Sequence, residues 1–79
     1  MAIFLLFQTL PAAAFRTVVI DPGHGGKDDG AQHYGVKEKD VNLDTSKRLE
    51  QILKRKGYKV VMTRRTDRFV PLQERARIA

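Results

Sequence analysis

Residues 16–26 read RTVVIDPGHGG. The run from Arg16 to Asp21 is unbroken and dominated by β-branched side chains, as expected for a strand buried on both faces of a parallel sheet. Pro22, Gly23, Gly25 and Gly26 end it abruptly. Residues 27–39, KDDGAQHYGVKEK, read as a polar loop with Gly30 and Gly35 as turn points. Asp40 is a good N-cap and predicts a helix over 41–56, although no Glu or Gln follows to complete a capping box. Val41, Thr45, Leu49, Ile52 and Leu53 form its apolar stripe. Asp44 with Arg48, and Glu50 with Lys54, are favourable pairs four residues apart. Lys54-Arg55-Lys56 complements the C-terminal dipole, and Gly57 supplies the left-handed stop.

A second strand over 58–63, YKVVMT, follows the helix. Strand, helix and strand make a βαβ unit with parallel strands and a right-handed crossover. A charged loop over 64–69 leads to Pro71, which suits the first turn of a second helix with Leu72, Arg75, Ala76 and Ala79 on one side. The fold class is therefore α/β. One βαβ unit leaves both sheet edges open, so the chain reads as the truncated front part of a larger domain.

The chain has 79 residues and a formal net charge of +6. It contains no Cys, which excludes a disulfide scaffold, a Cys-ligated zinc finger and a thiol nucleophile. No apolar run approaches the roughly 18 residues of a membrane-spanning helix. The balance of charge is −2 over residues 16–45 and +8 over 46–79. An acidic first half suits a cation site, and a basic second half suits anionic partners. Residues 1–15, MAIFLLFQTLPAAAF, are uncharged. Their short apolar core and Ala12-Ala13-Ala14 read as a signal peptide over 1–14, with the mature domain at 15–79. A basic n-region is missing, and a buried edge strand or apolar helix is the competing reading.

Ligands of open α/β sheets bind beyond the carboxyl ends of the strands, where residues 21–26 lie. The glycines leave His24 unshielded, and a neutral imidazole there can ligate zinc. Glu38, on the facing loop, is placed to supply a second ligand. Spacing alone leaves two other readings open: His24 as a plain turn residue, and the glycine-rich turn as a phosphate cradle.

TVVIDPGHGGKDDGA at 17–31, GVKEKDVNL at 35–43 and VVMTRRTDRFVPLQERARIA at 60–79 together resemble the start of the zinc-dependent N-acetylmuramoyl-L-alanine amidases. The three blocks occur in the family's order and cover residues 16–79. The resemblance implies a mainly parallel twisted sheet with helices on both faces. It also implies cleavage of the amide between N-acetylmuramic acid and L-alanine in peptidoglycan. By the same resemblance His24 and Glu38 are zinc ligands, Zn2+ is the cofactor and peptidoglycan is the partner. The third ligand, a His on the next strand, and the Glu that activates water lie outside these 79 residues, so the chain by itself is expected to be inactive. Asp21 is expected to stabilise the loop or to orient the His24 imidazole. Asp28 and Asp29 read as solvated turn residues, His33 as a loop residue away from metal, and Arg64 with Asp67 as a loop-fixing charge pair. Lys54-Arg55-Lys56 and Arg64-Arg65 lack the interleaved aromatics of a nucleic-acid surface. The export signal implies an exported protein, in the periplasm, the cell envelope or the extracellular space. The alternative reading is a non-catalytic basic α/β module that binds anionic wall polymer.

Overall fold

A computed structural model describes residues 16–79. The signal-peptide reading of 1–14 lies outside the described residues. The elements are β1 (Thr17–Ile20), β2 (Gln32–His33), β3 (Val36–Lys37), α1 (Glu38–Arg55), β4 (Lys59–Met62) and α2 (Leu72–Ile78). β1 and β4 pair in parallel, with Thr17 opposite Lys59 and Ile20 opposite Met62, and α1 is the crossover between them. The βαβ unit is present as the hydrophobic pattern predicts.

α1 begins three residues earlier than its sequence suggests. Lys37, not Asp40, is the N-cap, and its side chain makes no capping bond. Two loop carbonyls do that work: Glu38 N–H donates to Ala31 O at 2.8 Å and Lys39 N–H to Asp29 O at 3.1 Å. The orphan amides of the first turn are thus satisfied by backbone, which leaves no side-chain signature. Residues 32–37, read as loop, form an antiparallel hairpin with Gln32 opposite Lys37. Its turn, Tyr34-Gly35, takes φ of 50° and 77°, the double left-handed conformation of a two-residue hairpin turn. The far end of α1 follows expectation. Gly57 N–H reaches Lys54 O and Tyr58 N–H reaches Leu53 O, the paired bonds of a Schellman stop around Gly57 at φ 93°.

The buried face of α1 also differs from the expected stripe. Val41, Leu49 and Ile52 are exposed, whereas Lys39 and Glu50 are buried. Charge is tolerated there because each is paired. Arg65 grips Glu50 through both oxygens, at 2.8 and 2.5 Å, and Lys54 adds a contact at 3.4 Å. Among the described residues the buried apolar side chains are Ile20, Pro22, Val60 and Val70. Beside them, Thr63 and Arg64 are each only 3% exposed, and no buried side-chain nitrogen or oxygen among the described residues lacks a partner. The region around the end of β1 is therefore held by directional bonds more than by apolar packing. In α2, Pro71 occupies the N-cap and Leu72 is exposed, while the Arg75 side chain turns inward. No described helix is long and apolar enough to cross a membrane.

Candidate metal centre

β1 delivers the chain to its carboxyl end at Asp21, and the following glycines fold the backbone back on itself. Gly25 and Asp28 exchange backbone hydrogen bonds at 2.8 and 3.0 Å, closing a tight bridge. Gly25 adopts φ 125°, and a Cβ there would collide with the carbonyl of Arg68, so the 64–70 loop requires glycine for its close approach. His24 itself sits at φ 62°, a left-handed conformation that costs a non-glycine residue about 1–2 kcal/mol. The surroundings hold it there. Arg75 donates to His24 O at 2.7 Å, to Pro22 O at 2.8 Å, to Val70 O at 2.9 Å and to Asp21 Oδ1 at 2.6 Å.

The same bridge brings Asp28 beneath the imidazole. His24 Nδ1 lies 2.9 Å from Asp28 Oδ2, while Asp28 Oδ1 accepts the Gly30 N–H at 3.1 Å. A carboxylate can only accept, so Nδ1 donates to Asp28 and Nε2 points the other way. Nε2 lies 3.1 Å from Glu38 Oε1. Glu38, the first residue of α1, is steadied by the Ala31 N–H, which donates to the same Oε1 at 2.9 Å. Two acceptors facing one another at that distance require a proton or a cation between them. Two ligands on a tetrahedral zinc, each about 2.0–2.1 Å from the ion, stand about 3.3 Å apart. The donor pair, one imidazole nitrogen and one carboxylate oxygen, therefore fits zinc in both chemistry and spacing. No group of three metal-ligating side chains occurs among the described residues.

Of the two roles expected for Asp21, its bonds match the first, stabilising the loop, and not the orienting of the imidazole. Its Oδ1 accepts from Thr63 Oγ1 at 2.7 Å and from Arg75, which ties β1 to β4 and α2. Asp28, expected to be a solvated turn residue, is instead the carboxylate that meets the ring. Its only sequence clue is its position four residues after His24 across Gly25-Gly26, a spacing that a tight turn closes. His33 lies exposed in β2 with its ring edge-on to Tyr34. Arg64 and Asp67 both fix the loop, though through other partners than each other. Asp67 accepts from Gly26 N–H at 2.7 Å and from Lys39 Nζ at 2.9 Å. Lys39 also bonds Gly26 O and Asp29. Arg64 donates only to carbonyls, those of Pro22, Gly23, Lys39 and Thr66. An open cleft of about 390 Å3 borders the site, lined by His24, Asp28, Phe69, Val70, Leu72 and Arg75 among others.

The carboxylates around the loop make the site acid-sensitive. The His24 hydrogen bond, then the Gly30 amide, holds Asp28 below the ordinary aspartate value of 3.8. The Lys39 bond, then the Gly26 amide, does the same for Asp67. At Asp21 burial opposes ionisation, but bonds from Thr63 and Arg75 outweigh it and lower the pKa. Carboxyls depressed in the folded state contribute stability above their ordinary value, and this is lost as pH falls through that value toward the depressed one. The thermal midpoint is therefore expected to fall between about pH 5 and pH 3. The double variant Asp28→Asn/Asp67→Asn should show a flatter profile in calorimetry, and an unchanged profile would remove these two groups from the account.

A sequence profile of the family described as N-acetylmuramoyl-L-alanine amidase matches residues 18–79. The chain is 42% identical over 82 aligned positions to the probable N-acetylmuramoyl-L-alanine amidase AmiB of Haemophilus influenzae, covering 96% of this chain and 19% of that protein. It is 46% identical over 63 positions to the probable cell wall amidase LytH of Staphylococcus saprophyticus, covering 76% and 22%. Among solved structures, the amidase AmiC2 of Nostoc punctiforme superposes with a TM-score of 0.77 at 54% identity, over 81% of this chain and 36% of that one. The chain thus spans about a fifth of the length of the curated relatives it matches.

Proposed function

The chain belongs to the N-acetylmuramoyl-L-alanine amidase family, and we propose that its residues supply two ligands of a zinc centre that hydrolyses the amide between N-acetylmuramic acid and L-alanine in peptidoglycan. The observation that carries this reading is the 3.1 Å approach of His24 Nε2 and Glu38 Oε1, with the opposite ring nitrogen committed to Asp28. Bound between them, zinc would act as a Lewis acid on the scissile carbonyl and make water acidic enough to attack near neutral pH. The protein's part is to hold that pair ready. Asp28 fixes the tautomer that leaves the Nε2 lone pair available, a role that metal-ligating imidazoles usually require. The Ala31 amide holds the Glu38 carboxylate aimed at the ring. Phe69 and Val70 line one side of the adjoining cleft, where a sugar or peptide can approach His24.

A third ligand and the Glu that moves the proton belong to the complete catalytic domain of the family. The test is therefore a chimera in which residues 18–79 replace the matching segment of the Nostoc punctiforme amidase. The folded, zinc-loaded chimera is expected to release peptide stems from purified peptidoglycan. Binding to wall polymer without release would support the non-catalytic module and overturn the hydrolase. Export is part of the same proposal, supported by residues 1–14 and by the cell-wall relatives. Protein recovered from the cell envelope should begin at Phe15, and intact Met1 on cytoplasmic protein would sink that reading.

A further inference from the structure

Arg64 has an unusual set of partners. Its side chain is buried, with the residue only 3% exposed, yet its hydrogen bonds all go to backbone carbonyls. Nε donates to Pro22 O at 3.0 Å and Nη1 to Thr66 O at 3.0 Å. Nη2 donates to two carbonyls at once, Gly23 O at 2.9 Å and Lys39 O at 3.0 Å. Gly23 immediately precedes His24, and Lys39 immediately follows Glu38. One nitrogen therefore joins the peptide before one candidate ligand to the peptide after the other. The two ligands stand on separate elements, a loop after β1 and the first turn of α1. Their spacing has to be set across the gap between these elements, and Arg64 spans it from β4's end.

We infer that Arg64 is a positioning residue whose forked guanidinium, through Gly23 O and Lys39 O, sets the separation of His24 and Glu38. This rests on the reading of that pair as zinc ligands. A guanidinium is planar and rigid, so its bond directions fix where the four carbonyls lie. An ammonium keeps the charge but cannot reproduce the fork. Burying a cation without a carboxylate partner is costly, and four charge-assisted bonds to oxygen offset that cost only while the geometry is kept. Asn42 and Lys39 also tie α1 to this loop, through Gly23 O and Gly26 O, but neither bonds the backbone on both sides of the ligand pair.

The experiment compares the 79-residue chain with Arg64→Lys and Arg65→Lys by NMR. In the metal-free wild type, the His24 ring should show cross-relaxation to Gly30 and Glu38, and added zinc should shift the His24 ring signals ahead of those of His33. Arg64→Lys should keep the cross-strand contacts of β1 and β4, lose the His24–Glu38 contact, and need about 10–100-fold more zinc for the same shift. Arg65→Lys, which alters only the grip on Glu50, should behave as wild type. A folded Arg64→Lys that keeps both the contact and the zinc response overturns the proposal. If that variant does not fold, Arg64→Ala with added methylguanidinium decides. Recovery of fold together with the His24–Glu38 contact supports positioning, and recovery of fold without it, or no recovery, overturns it. Loss of the contact in Arg64→Lys, with no zinc response at His24 even in wild type, leaves positioning standing and removes the ligand reading instead.

Discussion

Replacing His24 with Ala in the peptidoglycan-active chimera is expected to reduce peptide release to the background of the zinc-free protein and to remove bound zinc. Among the described residues His24 supplies the nitrogen donor that faces Glu38, and without it the chimera keeps two protein ligands, one fewer than the three that catalytic zinc normally takes. His33→Ala should leave both properties nearly unchanged, because that ring is exposed on the hairpin and meets Tyr34 edge-on. Folding has to be separated from chemistry, since His24 lies at φ 62° and Ala inherits the same strain. His24→Gly provides the separation. It relieves about 1 kcal/mol of left-handed strain and should melt higher than His24→Ala, yet be equally inactive. Full activity with zinc retained in His24→Ala would show the site to be wrongly assigned, whatever the family resemblance.

The βαβ unit was legible because the physics that makes it is local. A β-branched run, pairs four residues apart on the helix, and Gly57 at a Schellman stop all act within a few residues, and the structure carries each of them. What escaped depends on partners distant in sequence. The start of α1 is satisfied by the carbonyls of Asp29 and Ala31, so no capping side chain marks it. Its buried face carries Lys39 and Glu50 because Asp67 and Arg65 arrive from the loop after β4 to neutralise them. A hydropathy stripe cannot foresee such pairings, and it points to Val41, Leu49 and Ile52, which are exposed.

The site shows the same division. His24 and Glu38 stand out as the residue types that zinc takes, at positions a strand end and a helix start bring together. Asp28 reads as a solvated turn residue but meets the His24 ring, whereas Asp21 stabilises the loop. The Gly25–Asp28 bridge folds Asp28 under the ring, while Asp21 is drawn away by Thr63 and Arg75. Two neighbouring aspartates of similar sequence character thus acquire different work from a turn and an arginine fifty-four positions further on.

Gly30 offers the most direct way to disturb the pair without touching either member. A Cβ on Gly30 would stand 2.6 Å from Glu38 Oε1 and 2.7 Å from His24 Cδ2, and also 2.9 Å from Glu38 Cβ. The carboxylate end can swing aside, but only by giving up the Ala31 N–H, and the imidazole can retreat only by straining its bond to Asp28. Gly30→Ala is therefore expected to drive the two donors apart and to weaken zinc binding by about 10–100-fold, the scale on which groups that orient metal ligands act. It also places Ala at φ 67°, a strain of about 1–2 kcal/mol that lowers stability independently of metal. Gly35→Ala isolates that second effect. Its φ of 77° imposes comparable strain, and nothing lies within 4 Å of its added Cβ. The two variants should lose similar stability by thermal unfolding without zinc, whereas calorimetric zinc titration should single out Gly30→Ala. Equal zinc affinity in both would mean that the crowding is absorbed elsewhere, and that the close approach of His24 and Glu38 is not what holds the ion.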